Sequence, residues 1–561
     1  MGIPSYFAHV LKKYPRVIKR ISELPCINNL YLDCNGMIYD VVRQMQFSPE
    51  KQTEYETELL QRICDSIDAC IAIMRPTSSV FIAFDGVAPV AKLNQQRERR
   101  YKSWYLGEME SQRRRDINAQ TGMKKRFHIE PPKPAWNTSA ITPGTKFMNL
   151  LHNKLAEHFD ASNPAALNAR YNLSGGAGII LSSSKEPGEG EHKLFEYIRE
   201  HAAEHAAATT VIYGLDADLI MLCMSHLHIS RGIYLYRETP EFVKSINVAL
   251  DEKERYYMDI PEFADAIVEQ LSSSKCTPVI AKDKVMDYIF ICFMLGNDFM
   301  PHFPSLNIRT TGIATLLEAY RATIGPNETI TMKQTDGSHC IHWPHYKKLI
   351  THLATQELTL IRKEHSTRDR QARHMRDTDK EDDVMHDVLM LPMTQRDVER
   401  SIDPLSAGWE RRYYAKLCDI KTDAEIPALC RSYLEGMQWT FHYYTRGCID
   451  WKWTYANHYP PLLSDLVQHI PDTAAHVFLQ VKPKDPIRDV VQLCYVLPKA
   501  SHALLPPAVA RALMQSKLAH KYADDGGYDF KWAYCKYFWE CHTDLPALDL
   551  RELEEIVKKT D

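Results

Sequence analysis

Four short runs of β-branched and apolar residues, at 28–33, 79–84, 178–182 and 209–214, alternate with helical stretches through the first 340 residues. Each ends on or near an acidic or glycine-containing turn. That alternation predicts an α/β fold with a largely parallel sheet. In open sheets of this kind, sites gather outside the carboxyl ends of the strands. Carboxylates stand there: Asp33 after NNLYL, Asp85 after VFIAF, Glu189 and Glu191 in PGEGEHK, and Asp216 and Asp218 after TVIYGL, with Asp298 in GNDF. Acids crowded at one sheet edge repel one another unless cations neutralise them. Hard oxygen ligands suit Mg²⁺ or Mn²⁺ rather than zinc. Two such ions about 4 Å apart can activate a water and stabilise the leaving oxygen of a phosphodiester, which is nuclease chemistry. A lone Asp after a strand is more often a turn former or a helix cap. The weight lies on acidic pairs occurring together with single acids after successive strands.

The charge balance looks unfavourable to a nucleic-acid binder, since 68 Lys and Arg face 72 Asp and Glu for a net −4 over 561 residues. Setting aside the seven carboxylates proposed for one pocket changes it to −4 + 7 = +3. From Lys92 to Arg115 there are eight Lys or Arg against three Glu, so a sum near zero hides a segregation. Within AKLNQQRERR, Lys92, Gln96, Arg99 and Arg100 fall at i, i+4, i+7 and i+8, one face of a helix. Guanidinium groups bind phosphate in bidentate fashion and a lysine adds a point charge, so this face suits a terminal phosphate; a solvated basic face is the plainer alternative. Arg113 to Arg115 and Lys124 to Arg126 extend the positive charge along the chain. With 45% apolar and 25% charged residues the chain is neither disordered nor fibrous. Its longest strongly apolar run, 288–296, falls short of the roughly 20 residues that span a bilayer. The N-terminus has no signal-peptide core, and the expected compartment is the cytoplasm. Fourteen cysteines without a C-x-x-C pair or a tight Cys/His quartet support neither a disulfide framework nor a structural zinc site.

Residues 361–387 are strongly charged with little to bury, and 341–395 reads as an exposed linker or insertion. Beyond it, 404–419 reads as a helix with Asp403 as N-cap and Pro404 at its first position, and 425–447 as another. Residues 396–561 therefore read as a mainly helical second region. Segment 439–461 concentrates three Trp, four Tyr and Phe441 with Arg446 and Lys452 interleaved. Such rings stack on bases at roughly 1–3 kcal/mol each, although most would serve equally as core.

Eight separated blocks also carry a family resemblance: MGIPSYF, YLDCNGMIY, FIAFDGVAPVAKLNQQRERR, ITPGTKFM, PGEGEHKLFEYIR, YGLDADLIML, DYIFICFMLGNDFMPHFP and YLEGMQWTFHYYTRGCIDWKWTYANHYPP. In this order they resemble the XRN-type 5′-to-3′ exoribonucleases over most of residues 1–465. The resemblance implies a PIN-like nuclease core at 1–340 and a helical region at 396–561 that completes the cleft. It implies two divalent ions held by Asp33, Asp85, Glu189, Glu191, Asp216, Asp218 and Asp298, and a 5′-monophosphate pocket of Lys92, Gln96, Arg99 and Arg100. It further implies processive hydrolysis of single-stranded RNA to nucleoside 5′-monophosphates by a monomer, with decapping or RNA-decay factors as partners and no membrane. Where the family usually has a His six residues after the first catalytic Asp, this sequence has Tyr39, which keeps a base-stacking ring without its ionisable nitrogen. The opposing ring is Trp451 or Trp453. Beyond about Leu505 the sequence departs from the family pattern, and the expectation is a minimal catalytic core. Two rival readings remain. A flap DNA nuclease is disfavoured because no G-x-G follows GNDF, and a non-catalytic RNA-binding scaffold is disfavoured by the complete carboxylate set.

Overall fold

The computed structural model describes all residues except 1–2, 4, 122–133, 161, 238–249, 252–253, 273–277, 336, 378–383, 523–527 and 561. The basic run Lys124 to Arg126 lies outside the described residues. Seven strands form one sheet: β1 (Ile18–Arg20), β2 (Asn29–Asp33), β3 (Ser79–Ala83), β4 (Gly178–Ser182), β5 (Thr209–Tyr213), β6 (Gly232–Tyr236) and β7 (Tyr256–Asp259). Their order is β1-β7-β6-β5-β2-β3-β4. The five strands from β6 to β4 are parallel, while β7 runs antiparallel to both β6 and β1. The expected α/β architecture is therefore met, and four of its strands fall within a residue of the runs read from sequence. The chain steps outward from β2 through β3 to β4 and then returns to the other side of β2 for β5. This reversal makes the carboxyl ends of β2 and β5 the switch point of the sheet, where open α/β sheets bind their ligands.

Both faces of the sheet are covered, which is why its strands read as continuous apolar runs. Tyr31, Phe81, Ile212 and Leu235 point to one face, into a core shared with helices Asp218–Ser225, Pro278–Cys292 and Ile426–Thr445. Leu30, Leu32, Val80, Ile82, Val211 and Tyr213 point to the other, against helices Gln52–Met74 and Lys146–His158. Because the first core runs unbroken from the sheet into helix Ile426–Thr445, the later part of the chain is fixed over the strand ends by apolar burial. No helix among the described residues is long and apolar enough to cross a membrane.

The structure corrects two local readings. Much of the expected linker at 341–395 is helix Trp343–Asp377. Its Tyr346, Leu349, Ile350 and Leu353 join the core, and its charges are satisfied from afar. Asn307 Nδ2 and Thr310 Oγ1 donate to Glu364 at 2.9 and 2.8 Å. Arg368 Nε donates to both oxygens of Glu399 at 3.0 Å, and its Nη2 donates to the carbonyl of Cys535 at 2.8 Å. Glu399 also accepts from Arg396 Nε and from the backbone N–H of Tyr534, each at 3.0 Å. A local reading sends charge-rich sequence to solvent because it cannot see partners 31 or 57 positions away. The second correction concerns Asp403. With φ 43° it ends helix Asp397–Ile402 and accepts from the N–H of Leu405 in a turn, and the next helix starts only at Trp409, after Gly408 at φ 75°.

Arg368, Arg396 and Glu399 are each at most 2% exposed. Removing the anion takes the carboxylate from Arg368 and, among the described residues, leaves Arg396 only the carboxylate of Asp369, 2.7 Å from its Nη1. Glu399→Gln is therefore expected to destabilise the fold by about 3–5 kcal/mol, read as a lower guanidinium-chloride midpoint at unchanged slope. A loss under about 1 kcal/mol, the scale of an exposed pair, would sink this reading.

Candidate active site

Each acid singled out in the sequence lies at the edge defined by the carboxyl ends of β2, β3, β4 and β5, or on a segment packed against it. Asp33 is the last residue of β2, and Asp85 follows β3 by two residues. Glu189 and Glu191 flank Gly190 at the start of helix Gly190–Glu200, and Asp216 and Asp218 lead into helix Asp218–Ser225. Asp298 follows the turn Phe293–Leu295 and Gly296, whose φ of 87° an L side chain rarely adopts.

Backbone and neutral side chains fix the first members. Gly190 donates its N–H to Asp85 Oδ1 at 2.7 Å, and Asp85 donates its own N–H to Asn35 Oδ1 at 3.1 Å while Asn35 Nδ2 donates back to Asp85 Oδ2. A Cβ at Gly190 would come within 2.6 Å of Asp33 Oδ1, so a side chain there would push this carboxylate out of place. Tyr443, from helix Ile426–Thr445, donates its hydroxyl to Glu189 Oε1 at 2.9 Å. Lys193 Nζ donates to the carbonyls of Phe84 and Ser183, at 2.8 Å each, and ties the turns after β3 and β4 together. Asn35, Gly190, Tyr443 and Lys193 all lie inside the sequence blocks quoted above, yet no charge or spacing rule singled them out.

Burial and mutual repulsion set the electrostatics. Glu189, Glu191, Asp218 and Asp298 are buried. Asp33 titrates well above the usual carboxylate range because of burial and the nearby Asp85 and Asp216. Glu191 is raised by burial and by Asp218 and Asp216, and Asp218 is pushed up to about 7 by burial and Asp298. For Asp298 burial works in the same direction, but Lys92 outweighs it and holds this acid low. Lys92 is itself buried, its Nζ 2.8 Å from Asp298 Oδ2 and paired with Glu189 Oε2. Asp33 Oδ1, Glu191 Oε2 and Asp218 Oδ1 are buried and have no hydrogen-bond partner among the described residues. Buried anionic oxygens lacking donors carry a cost that a cation would remove, and an all-oxygen donor set fits a hard divalent ion. The residues present thus fit Mg²⁺ or Mn²⁺.

The basic face lies on helix Val90–Thr121, whose first turn starts beneath Trp451: Val90 donates its N–H to the Trp451 carbonyl at 2.9 Å. Lys92, within that first turn, reaches the acids. Further along, Arg100 donates from Nη1 to Gln96 Oε1 at 3.3 Å and from Nη2 to Thr142 Oγ1 at 2.7 Å. Burial and the neighbouring Arg99 pull Arg100 down to about 10, while Tyr39 and Asp85 act on it in the opposite sense. The sequence reading missed Thr142, although it quoted the ITPGTKFM block that contains it. Tyr39 is half-buried, on helix Asn35–Gln44. The two tryptophans part company. Trp453 is stacked on Trp439 with centroids 5.1 Å apart, in a space that Gly436 keeps open, and belongs to the core. Trp451 is also buried, 7% exposed against 9% for Trp453, but among the described residues it joins none of the apolar clusters, and it has Lys484 Nζ 5.8 Å from its ring centre.

A family model described as the XRN 5′-3′ exonuclease N-terminus matches residues 1–239, and one described as the Xrn1 helical domain matches 281–403 and 393–561. The chain is 26% identical to the 5′-3′ exoribonuclease 2 of Arabidopsis thaliana, with 100% of this chain and 67% of that protein covered. It is 26% identical to the 5′-3′ exoribonuclease 2 of Gallus gallus, with coverages of 100% and 70%. To the 5′-3′ exoribonuclease 1 of Homo sapiens it is 27% identical over 100% of this chain and 34% of that protein.

Proposed function

This chain belongs to the XRN 5′-3′ exonuclease family, and from that premise we propose that it degrades single-stranded RNA carrying a 5′-monophosphate, processively, to nucleoside 5′-monophosphates. The observation that carries the proposal is the meeting of buried carboxylate oxygens, without a hydrogen-bond partner among the described residues, with a helix that presents Lys92 to those acids and, further along, Arg100 held by Gln96 and Thr142.

In this reading Arg99 and Arg100 bind the 5′-phosphate, with Gln96 and Thr142 orienting the second guanidinium. The first base lies between Tyr39 and Trp451; Trp453 is left to the core. Asp33, Asp85, Glu189, Glu191, Asp216, Asp218 and Asp298 hold two Mg²⁺ or Mn²⁺. When bound, such ions lower the pKa of a water and stabilise the charge that develops on the leaving oxygen. Lys92 adds fixed positive charge between Glu189 and Asp298. The water oxygen joins the phosphorus of the second nucleotide as the bond from that phosphorus to the first 3′-oxygen breaks. The released nucleotide keeps its 5′-phosphate, and the shortened strand gains a new one. Each cycle thus regenerates the end that the pocket binds, which favours processive degradation. Decapped transcripts in the cytoplasm are the natural substrates of such an enzyme, with decapping or decay factors as its partners.

The test is a set of end-labelled RNAs of one sequence bearing a 5′-monophosphate, triphosphate or hydroxyl, with Mg²⁺ or with chelator. Monophosphate RNA is expected to yield mononucleotides from the earliest time points, only with the metal, while the other ends react at least about tenfold more slowly. Equal rates on monophosphate and triphosphate ends would remove the pocket assignment, and internal cuts would remove the exonuclease reading.

A further inference from the structure

We infer that Glu98, His458 and His542 form a second metal site, chemically distinct from the acidic cluster, which takes a borderline transition-metal cation, Zn²⁺ above all. Bound there, it staples the C-terminal segment to the helix that carries the basic face. Among the described residues, these three each offer a ligand atom within 4.8 Å of the other two. Glu98 Oε1 stands 3.7 Å from His458 Nδ1, and Glu98 Oε2 stands 4.0 Å from His542 Nδ1. The two imidazoles lie nearly parallel, at 24°, with centroids 5.1 Å apart. These separations are too long for hydrogen bonds. They are close to what one ion imposes, because ligands held at about 2.0–2.2 Å in a tetrahedron stand roughly 3.3–3.6 Å apart. The two distances involve different oxygens of the carboxylate, and since the three ligand atoms lie within 4.8 Å of one another, a contraction of up to about an ångström closes the site.

The donor set selects the ion. Two imidazole nitrogens and one carboxylate are a zinc set, whereas Mg²⁺ takes oxygen almost exclusively. Lys102 Nζ lies 4.0 Å from Glu98 Oε2 but is held by the carbonyls of Trp539 and Cys541, at 3.0 and 2.6 Å, away from the gap between the rings. The three residues also line a cavity of about 1370 Å³, which gives an ion a way in and room for water as a fourth ligand.

The ligands come from three distant parts of the chain. Glu98 is on helix Val90–Thr121, about 240° around the helix from Lys92 at about 100° per residue. His458 follows helix Ile426–Thr445, and His542 opens the short strand His542–Thr543, which pairs with Phe530–Lys531. A cation here joins all three, on the side of the helix turned away from the phosphate-facing residues.

The full chain, loaded with Zn²⁺ and then dialysed exhaustively against buffer containing millimolar Mg²⁺, is expected to retain about one zinc by mass spectrometry. Its Co²⁺ form is expected to show the visible absorption of a four-coordinate nitrogen and oxygen site. Glu98→Gln, which keeps the shape of the side chain, and His542→Ala should each weaken zinc retention at least about tenfold. Asp218→Asn should leave it unchanged. Wild-type protein that retains no zinc would overturn the proposal. So would retention unaffected by both Glu98→Gln and His542→Ala, or lost in Asp218→Asn. Should His542→Ala fail to fold by circular dichroism, Glu98→Gln and the wild-type Zn²⁺-dependent rise in melting temperature decide the question alone.

Discussion

Asp218→Asn is expected to reduce hydrolysis of 5′-phosphorylated RNA at least about 10³-fold while the protein still folds and still binds RNA. Asp218 is 2% exposed, and its Oδ1 has no hydrogen-bond partner among the described residues. It sits among carboxylates that push its pKa up to about 7 with the help of burial. Asparagine fills the same volume but removes an anionic oxygen from the cation-holding set. At 1.36 kcal/mol per decade, a 10³-fold loss corresponds to about 4 kcal/mol of transition-state stabilisation, within the several kcal/mol attributed to metal assistance. Stability should move the other way. Deleting one charge from a buried cluster of like charges relieves repulsion in the folded state, so the metal-free melting temperature should hold or rise. A structural role for Asp218 would lower activity and stability together. Retained turnover within about tenfold of wild type, with RNA binding followed by fluorescence anisotropy, would remove Asp218 from the metal site.

Much of this site was legible in the sequence because its chemistry is tied to local signals. Short apolar runs announce buried parallel strands, and the acid that ends or follows each run lies, by topology, at the carboxyl edge. That is how Asp33, Asp85, Glu189, Glu191, Asp216 and Asp218 could be gathered without knowledge of strand order, which the structure supplies as a reversal at β2. The eight sequence blocks then tied the edge to a family. What the sequence left open was whatever depends on direction. Lys92 shares a helix face with Gln96 and Arg100, yet it lies in the first turn, nearest the strand ends, and its amine turns to Glu189 and Asp298. Trp451 and Trp453 differ by two positions, and only the space left by Gly436 shows which of them the core takes.

The least legible features are those whose partners lie far apart in the chain. The charged stretch after Ile361 reads as solvent-facing until Glu399, Asn307 and the carbonyl of Cys535 are seen to meet it. The proposed zinc ligands fail every spacing rule for the same reason. Glu98 precedes His458 by 360 positions and His542 by 444, and none of the three is a cysteine. In the second case the later part of the chain also acts on helix Val90–Thr121 through direct hydrogen bonds. The tail holds Lys102 through two carbonyls and Arg97 through the carbonyl of Pro546 at 2.7 Å. The orientation of the basic face is therefore set by residues that follow it by more than four hundred positions.

Arg100→Met should erase the preference for a 5′-monophosphate. Arg100 is aimed by Thr142 and Gln96, and its pKa, pulled down to about 10 by burial and by Arg99, still leaves it protonated at neutral pH. Two neighbouring half-buried guanidinium groups form a site in need of an anion, and a phosphate monoester supplies one. Each hydrogen bond to a charged group contributes about 1.5–3 kcal/mol. Losing a bidentate pair should thus cut kcat/KM on monophosphate RNA about 10²-fold or more. On RNA with a 5′-hydroxyl, which offers that guanidinium nothing, kcat/KM should change by less than about threefold, so the ratio between the two ends collapses. Thr142→Val, which removes the oxygen that aims Arg100 but keeps its charge, should produce a smaller loss of about tenfold, confined to the monophosphate substrate and carried mainly by KM. Arg100 is also half-buried against its own helix, so a general loosening of the site would reduce both substrates in parallel. That outcome, in Arg100→Met or in Thr142→Val, would make Arg100 a packing residue and leave the recognition of the 5′ end to Arg99 alone.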